Sequence, residues 1–159
     1  MARNDPQQGI MPSILDRLID PQSAGTQWRR GYGEDQMLAS VLRDLEDMLN
    51  TRPSYEGPAN EFPEVQRSIV SYGLQDLGQF STGMADQSTL VGQALEAAIA
   101  NYEPRLRDVR AKLIEGGDSK NRTVRFRIDA KLNMHPSPEV SFETVGDLAT
   151  GHYMVQAAG

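Results

Sequence analysis

Leu38, Val41, Leu42, Leu45 and Leu49 recur at three- and four-residue spacing, which places them on one face of a helix that Glu34 or Asp35 can cap. Asn50-Thr51 and Pro53 end that pattern, and a Pro/Gly-rich connection runs to about Asn60. Pro63 opens a second expected helix, with Val65, Ile69 and Val70 inward, that closes on Gly73. After a loop from Gly73 to Thr82, Asp86 or Ser88 can cap a third helix. There Leu90, Val91, Ala94, Leu95, Ala98, Ile99 and Tyr102 keep helical spacing. Beyond Leu106 the period changes to two. Val109, Ala111 and Leu113 alternate with Asp108, Arg110 and Lys112 in a strand reaching Ile114. Thr123–Asn133 is the clearest strand, with Val124, Phe126, Ile128, Ala130 and Leu132 opposite Arg125, Arg127, Asp129 and Lys131. Pro136 and Pro138 separate it from Val140–Val145, and Gly146-Asp147 precede a last strand near His152–Gln156.

Helices first and strands afterwards define an α+β fold. Its expected form is a mainly antiparallel sheet of three to four strands in the C-terminal half, packed against helices from the N-terminal half. Residues 1–10 read as a flexible tail and residues 11–159 as a single domain. Within it, Met11–Ile19 is an apolar segment too short to bury itself, and a polar, glycine-bearing connection follows to about Gly33. Hydrophobic content of 38% and charged content of 24% suit a soluble globular protein. No apolar run approaches the ~18 residues that suggest a membrane span. The first nine residues hold no apolar signal segment, so a cytoplasmic protein is the simplest reading. Cysteine is absent, which excludes disulfides, thiolate metal sites and cysteine nucleophiles.

The net charge of −6 is unevenly spread. Residues 103–132 hold nine Lys/Arg and five Asp/Glu, a local balance of +4, against seven and 17 elsewhere. The strand carrying Arg125 and Arg127 raises nucleic-acid binding, but stacking aromatics are missing from its basic parity. A basic face recognising an acidic protein segment fits at least as well, and so does a simple solvated sheet face. His135 and His152 share no ligand spacing, and no phosphate loop, dinucleotide fingerprint or nucleophile elbow occurs. No cofactor, metal or catalytic residue is expected.

The junction Asn101-Tyr102-Glu103-Pro104-Arg105-Leu106 is the most informative stretch. Pro104 ends the helix by restricting its predecessor and removing a donor. Arg105 suits the negative helix end, whereas Glu103 there costs roughly 0.3–1 kcal/mol, so a cation is expected beside it, in this chain or another. Read as one of two glycosidase carboxylates, Glu103 would need a sugar-stacking cleft, which a single tryptophan, Trp28, supplies poorly.

Five segments together resemble the TssE family of type VI secretion baseplate subunits, within the family named for the lysozyme-like wedge protein of contractile phage tails. They are Ser13–Leu18, Leu49–Arg52, Ser71–Asp76, Asn101–Leu106 and Val124–Ile128, in order over residues 11–155. Gln75 departs from the proline often found after Tyr-Gly-Leu in relatives. The resemblance implies a structural role, not catalysis: a cytoplasmic wedge subunit that seats and initiates polymerisation of the contractile sheath. The alternatives are a cell-wall hydrolase, or the equivalent wedge protein of a phage or bacteriocin tail. Implied partners are the wedge subunits TssF, TssG and TssK and the sheath subunits TssB and TssC, with no nucleic acid and no direct membrane insertion. The partner-binding residues expected are Glu103, Pro104 and Arg105 at the junction, Arg125 and Arg127 on the basic strand, and Leu15, Arg17 and Leu18 in the short apolar segment, for which a staple packing onto this domain fits equally well. An open sheet edge accepting a partner strand is the expected means of attachment. On this view Glu103→Ala and Arg105→Ala leave a soluble fold but block sheath extension.

Overall fold

The computed structural model describes residues 12–19, 32–54, 62–75, 85–114, 123–147 and 149–158. The expected tail and the connections at 20–31, 55–61, 76–84 and 115–122 lie outside the described residues. Two compact units partition the chain, Met1–Val41 and Leu42–Gly159.

The first unit contains helix α1 (Ile14–Ile19) and the opening turns of α2 (Glu34–Leu49). Ser13 and Asp16 cap α1 reciprocally. The Ser13 N–H donates to Asp16 Oδ2 at 3.0 Å and the Asp16 N–H to Ser13 Oγ at 3.1 Å. At α2 the cap differs from the expected Glu34 or Asp35. Gly33 takes the position, its carbonyl accepting from the Met37 N–H and its own N–H donating to Gln36 Oε1. The buried face is also rotated from the leucine stripe: Met37, Val41, Leu45, Met48 and Leu49 are buried, whereas Leu38 and Leu42 are half-buried.

The second unit holds the rest of α2, α3 (Pro63–Gln66), a 3-10 turn (Ile69–Ser71), α4 (Ala85–Tyr102) and strands β1 (Leu106–Leu113), β2 (Thr123–Leu132), β3 (Glu139–Asp147) and β4 (His152–Ala157). The strands form one antiparallel sheet in the order β1-β2-β3-β4. Phe126, Ile128, Ala130 and Leu132 of β2 and Phe142 of β3 are buried on its inner face, and α4 packs along β1, burying Val91, Leu95 and Ile99. This is the expected α+β arrangement.

Three local expectations fail for identifiable reasons. The helix expected from Pro63 to Gly73 breaks after Gln66, and Ile69 and Val70 are exposed at 87% and 41%. The Val65 carbonyl oxygen, which the Ile69 N–H would need, is taken by the hydroxyls of Ser68 and Ser71 at 2.8 Å each. Helix α4 begins at Ala85, so Asp86 and Ser88 lie inside it instead of capping it. In β1 the alternation is interrupted between Arg107 and Arg110 by a bulge at Asp108, whose φ is 55°. That bulge puts both Leu106 and Val109 on the buried face.

Candidate functional site

The junction is a β-turn built where α4 meets the sheet. The Leu106 N–H donates to the Glu103 carbonyl at 3.1 Å, with Pro104 second in the turn, where its fixed φ is pre-set. Asn133 at the end of β2 holds the turn from the side, its N–H on the Arg105 carbonyl at 2.7 Å and its Nδ2 on that of Pro104 at 3.3 Å. Pro104 is exposed, Arg105 half-buried and Glu103 buried at 4% exposure.

The cation beside Glu103 lies in this chain. Arg105 Nε donates to Glu103 Oε1 at 2.6 Å, and Nη2 pairs with both Glu103 Oε2 and, at 2.6 Å, Asp44 Oδ2 on α2. Arg43 meets the other oxygen of Asp44 through Nη2 at 2.6 Å. A chain of four alternating charges therefore joins α2 to the α4–β1 turn. Burial works against the Arg105 charge, but its hydrogen bonds and attraction to Glu103 and Asp44 outweigh that and raise its pKa further. Tyr72 borders the same cluster. Burial raises its phenol pKa, and the charges of Asp44, Asp47 and Glu103 raise it further. Its ring meets that of Tyr102 edge-to-face at 5.2 Å, and the Tyr102 hydroxyl donates to the Gln66 carbonyl at 2.6 Å.

Three of the five segments quoted above converge in this region. Leu49–Arg52 meets the described part of the next segment, residues 71–75, where the Leu74 N–H donates to the Thr51 carbonyl at 2.9 Å. Gly73 permits that approach: its φ is +113°, and a Cβ there would overlap the Thr51 carbonyl oxygen. Asn101–Leu106 supplies the clamp itself. Both oxygens of the Glu103 carboxylate are committed to Arg105, so the arrangement immobilises charge and presents no exposed acid.

Arg125 and Arg127 stand apart from this clamp, exposed on the outer face of β2. Arg127 pairs with Glu143 across the strand at 3.8 Å, Lys131 with Asp108 at 3.3 Å, and Arg110 lies 4.0 Å from Glu96. Among the described residues, the basic strand is thus partly neutralised by its neighbours. Leu15, Arg17 and Leu18 lie in the first unit. Leu15 and Leu18 are 47% and 77% exposed, together with Ile14 and Ile19, and Arg17 is exposed as well. Asp16 faces the other way, buried at 3%, and both its carboxylate oxygens accept from the Ser40 hydroxyl at 2.9 Å. One polar anchor therefore turns the apolar side of α1 outward.

Sequence reasoning missed Asp44, Arg43, Asp16 and Tyr72. A single Asp on an amphipathic helix reads as a solvated charge, and only the fold brings Asp44 to Arg105. Among the described residues, no group of three His, Asp or Glu is placed to hold a metal ion, and no helix is long and apolar enough to cross a membrane.

Comparison with known families places this α+β chain among baseplate wedge proteins. Residues 35–137 match the family described as Baseplate wedge protein gp25, and the chain belongs to that family. No curated protein matches. A chain in the solved structure described as "The baseplate complex from the type VI secretion system" is similar over 70% of this chain and 95% of its own, at 19% identity and a TM-score of 0.48.

Proposed function

We propose that this chain is a structural wedge subunit of a type VI secretion baseplate, of the TssE type, which seats the first ring of the contractile sheath and starts its polymerisation. Membership of the gp25 baseplate wedge family carries this reading. The clamp supports it against the hydrolase alternative: the one carboxylate singled out as a candidate acid is buried and held on both oxygens by Arg105, whereas a general acid must reach its substrate with a transferable proton. The junction on this reading fixes the relative positions of α2, α4 and the sheet, so that other surfaces meet partners in register. Leu15, Arg17 and Leu18 form the dock for the wedge subunits TssF, TssG and TssK. Arg125 and Arg127, on the outer sheet face, meet acidic segments of the sheath subunits TssB and TssC. The work is done in the cytoplasm and without turnover.

The test is complementation in cells that lack the chain and carry a fluorescent sheath subunit. Extended sheaths are expected to disappear, to return with the wild-type chain, and to return poorly with Arg125→Glu/Arg127→Glu. Sheath extension of normal frequency without the chain contradicts the proposal. Turnover of purified peptidoglycan by the isolated protein, lost in Glu103→Gln, would favour a hydrolase instead.

A further inference from the structure

A four-stranded open sheet has two edges, each a row of unpaired N–H and C=O groups that invites another strand. The edges here are not bare. In β4 the Ala158 N–H just beyond the strand donates to the Ser141 carbonyl of β3, so even-numbered residues face the sheet and odd-numbered ones face outward. The outward pair on Tyr153 is met by the Asn50 side chain in both directions: its Oδ1 accepts from the Tyr153 N–H at 2.9 Å and its Nδ2 donates to the Tyr153 carbonyl at 2.8 Å. That reciprocal pair of bonds is the one a residue of a neighbouring antiparallel strand would make. One step along, Glu46 Oε2 accepts from the outward Val155 N–H at 3.2 Å. Glu46 and Asn50 stand four residues apart, on the same face at the end of α2.

The opposite edge is covered more heavily. In β1 the outward Ala111 N–H donates to Glu96 Oε1 at 2.8 Å. The Ala111 carbonyl faces α4 at Gly92, where a Cβ would sit 3.2 Å from that oxygen. Helix backbone thus shields β1, while at the middle of β4 the side chains of Asn50 and Glu46 take the outward groups.

We propose that Asn50 and Glu46 act as a surrogate strand that closes β4 against pairing with a second copy of this chain. The edge expected to be open is instead occupied, and any incoming strand must first displace an amide that already makes both of its bonds. The closure keeps free subunits apart by competition for the same backbone groups. It depends only on the side chains named and is independent of which machine the chain joins.

Hydrogen–deuterium exchange and sedimentation velocity on the full chain test this together. In Asn50→Ala/Glu46→Ala the Tyr153 and Val155 amides are expected to exchange about tenfold faster at low concentration, as loss of one hydrogen bond each implies. The same variant is expected to dimerise with rising concentration, whereas the wild type and Glu46→Gln, which keeps the acceptor oxygen, remain monomeric. Adding Val155→Pro, which removes the outward donor at an edge position that tolerates proline, should restore the monomer. Asn50 Nδ2 also bonds the Glu46 carbonyl, so Glu46→Ala alone serves as the milder variant should the double variant unfold. A folded variant that stays monomeric, or Tyr153 and Val155 amides that exchange at the wild-type rate, overturns the proposal. So does a dimer that persists with Val155→Pro.

Discussion

Arg105 shares one positive charge between two carboxylates from distant parts of the chain, and that sharing decides how its loss is felt. With Glu103 buried, Arg105→Ala strands its carboxylate, whereas Asp44 keeps Arg43. A loss of about 3–5 kcal/mol is expected, read as a lower denaturation midpoint at an unchanged slope. Arg105→Lys recovers only part of it, because an ammonium lacks the planar fork that spans both acids. The expectation that Glu103→Ala and Arg105→Ala leave the fold intact therefore changes: a defect in sheath extension must be separated from a stability defect in the same variants. The two tyrosines add a pH signature. Tyr72 is raised by burial and then by Asp44, Asp47 and Glu103, and Tyr102 is raised by burial against a lowering hydrogen bond from Ser71. Both then keep their protons in the fold beyond the ordinary value of 10.0, at which the unfolded chain starts to lose them. Their contribution to stability is full below pH 10.0 and lost as pH rises through the folded values. Thermal denaturation should show the fall, and Tyr72→Phe should shrink it.

At the scale of elements, α1 is where surface and stability separate. Its apolar residues are exposed and its anchor is Asp16, so Leu15→Asp/Leu18→Asp is expected to leave the denaturation midpoint within about 0.5 kcal/mol of wild type. Capture of TssF and TssG should be lost in the same variant. A variant that still binds them puts the dock elsewhere. The sequence showed that Ile14–Ile19 could not bury itself, because six residues cannot close an apolar face. It did not show Asp16 turning inward, since that depends on Ser40 arriving from 24 residues away. The strands were legible because alternation is a local property, and β2 follows it from Phe126 to Leu132 without a break. The segment after Pro63 departs from its pattern for a local reason too: the start signal at Pro63 holds, but two serine hydroxyls capture the Val65 carbonyl long before Gly73.

For the molecule as a whole, the fold class followed from the succession of helical and alternating patterns, while two contacts that staple the fold join residues far apart. Arg105 reaches Asp44 across 61 positions, and Asn50 reaches Tyr153 across 103. Nothing in either local neighbourhood announces its partner, so the junction was recognisable as important before its purpose could be read. The central claim is that the chain is a passive template that joins other chains. Purification of the tagged protein from cells expressing TssF, TssG, TssK, TssB and TssC tests it most directly. The account predicts a defined complex with the wedge subunits, to which sheath subunits attach only when this chain is present. A free monomer that retains none of them, while an unrelated baseplate assembles and extends sheath without it, would contradict the account.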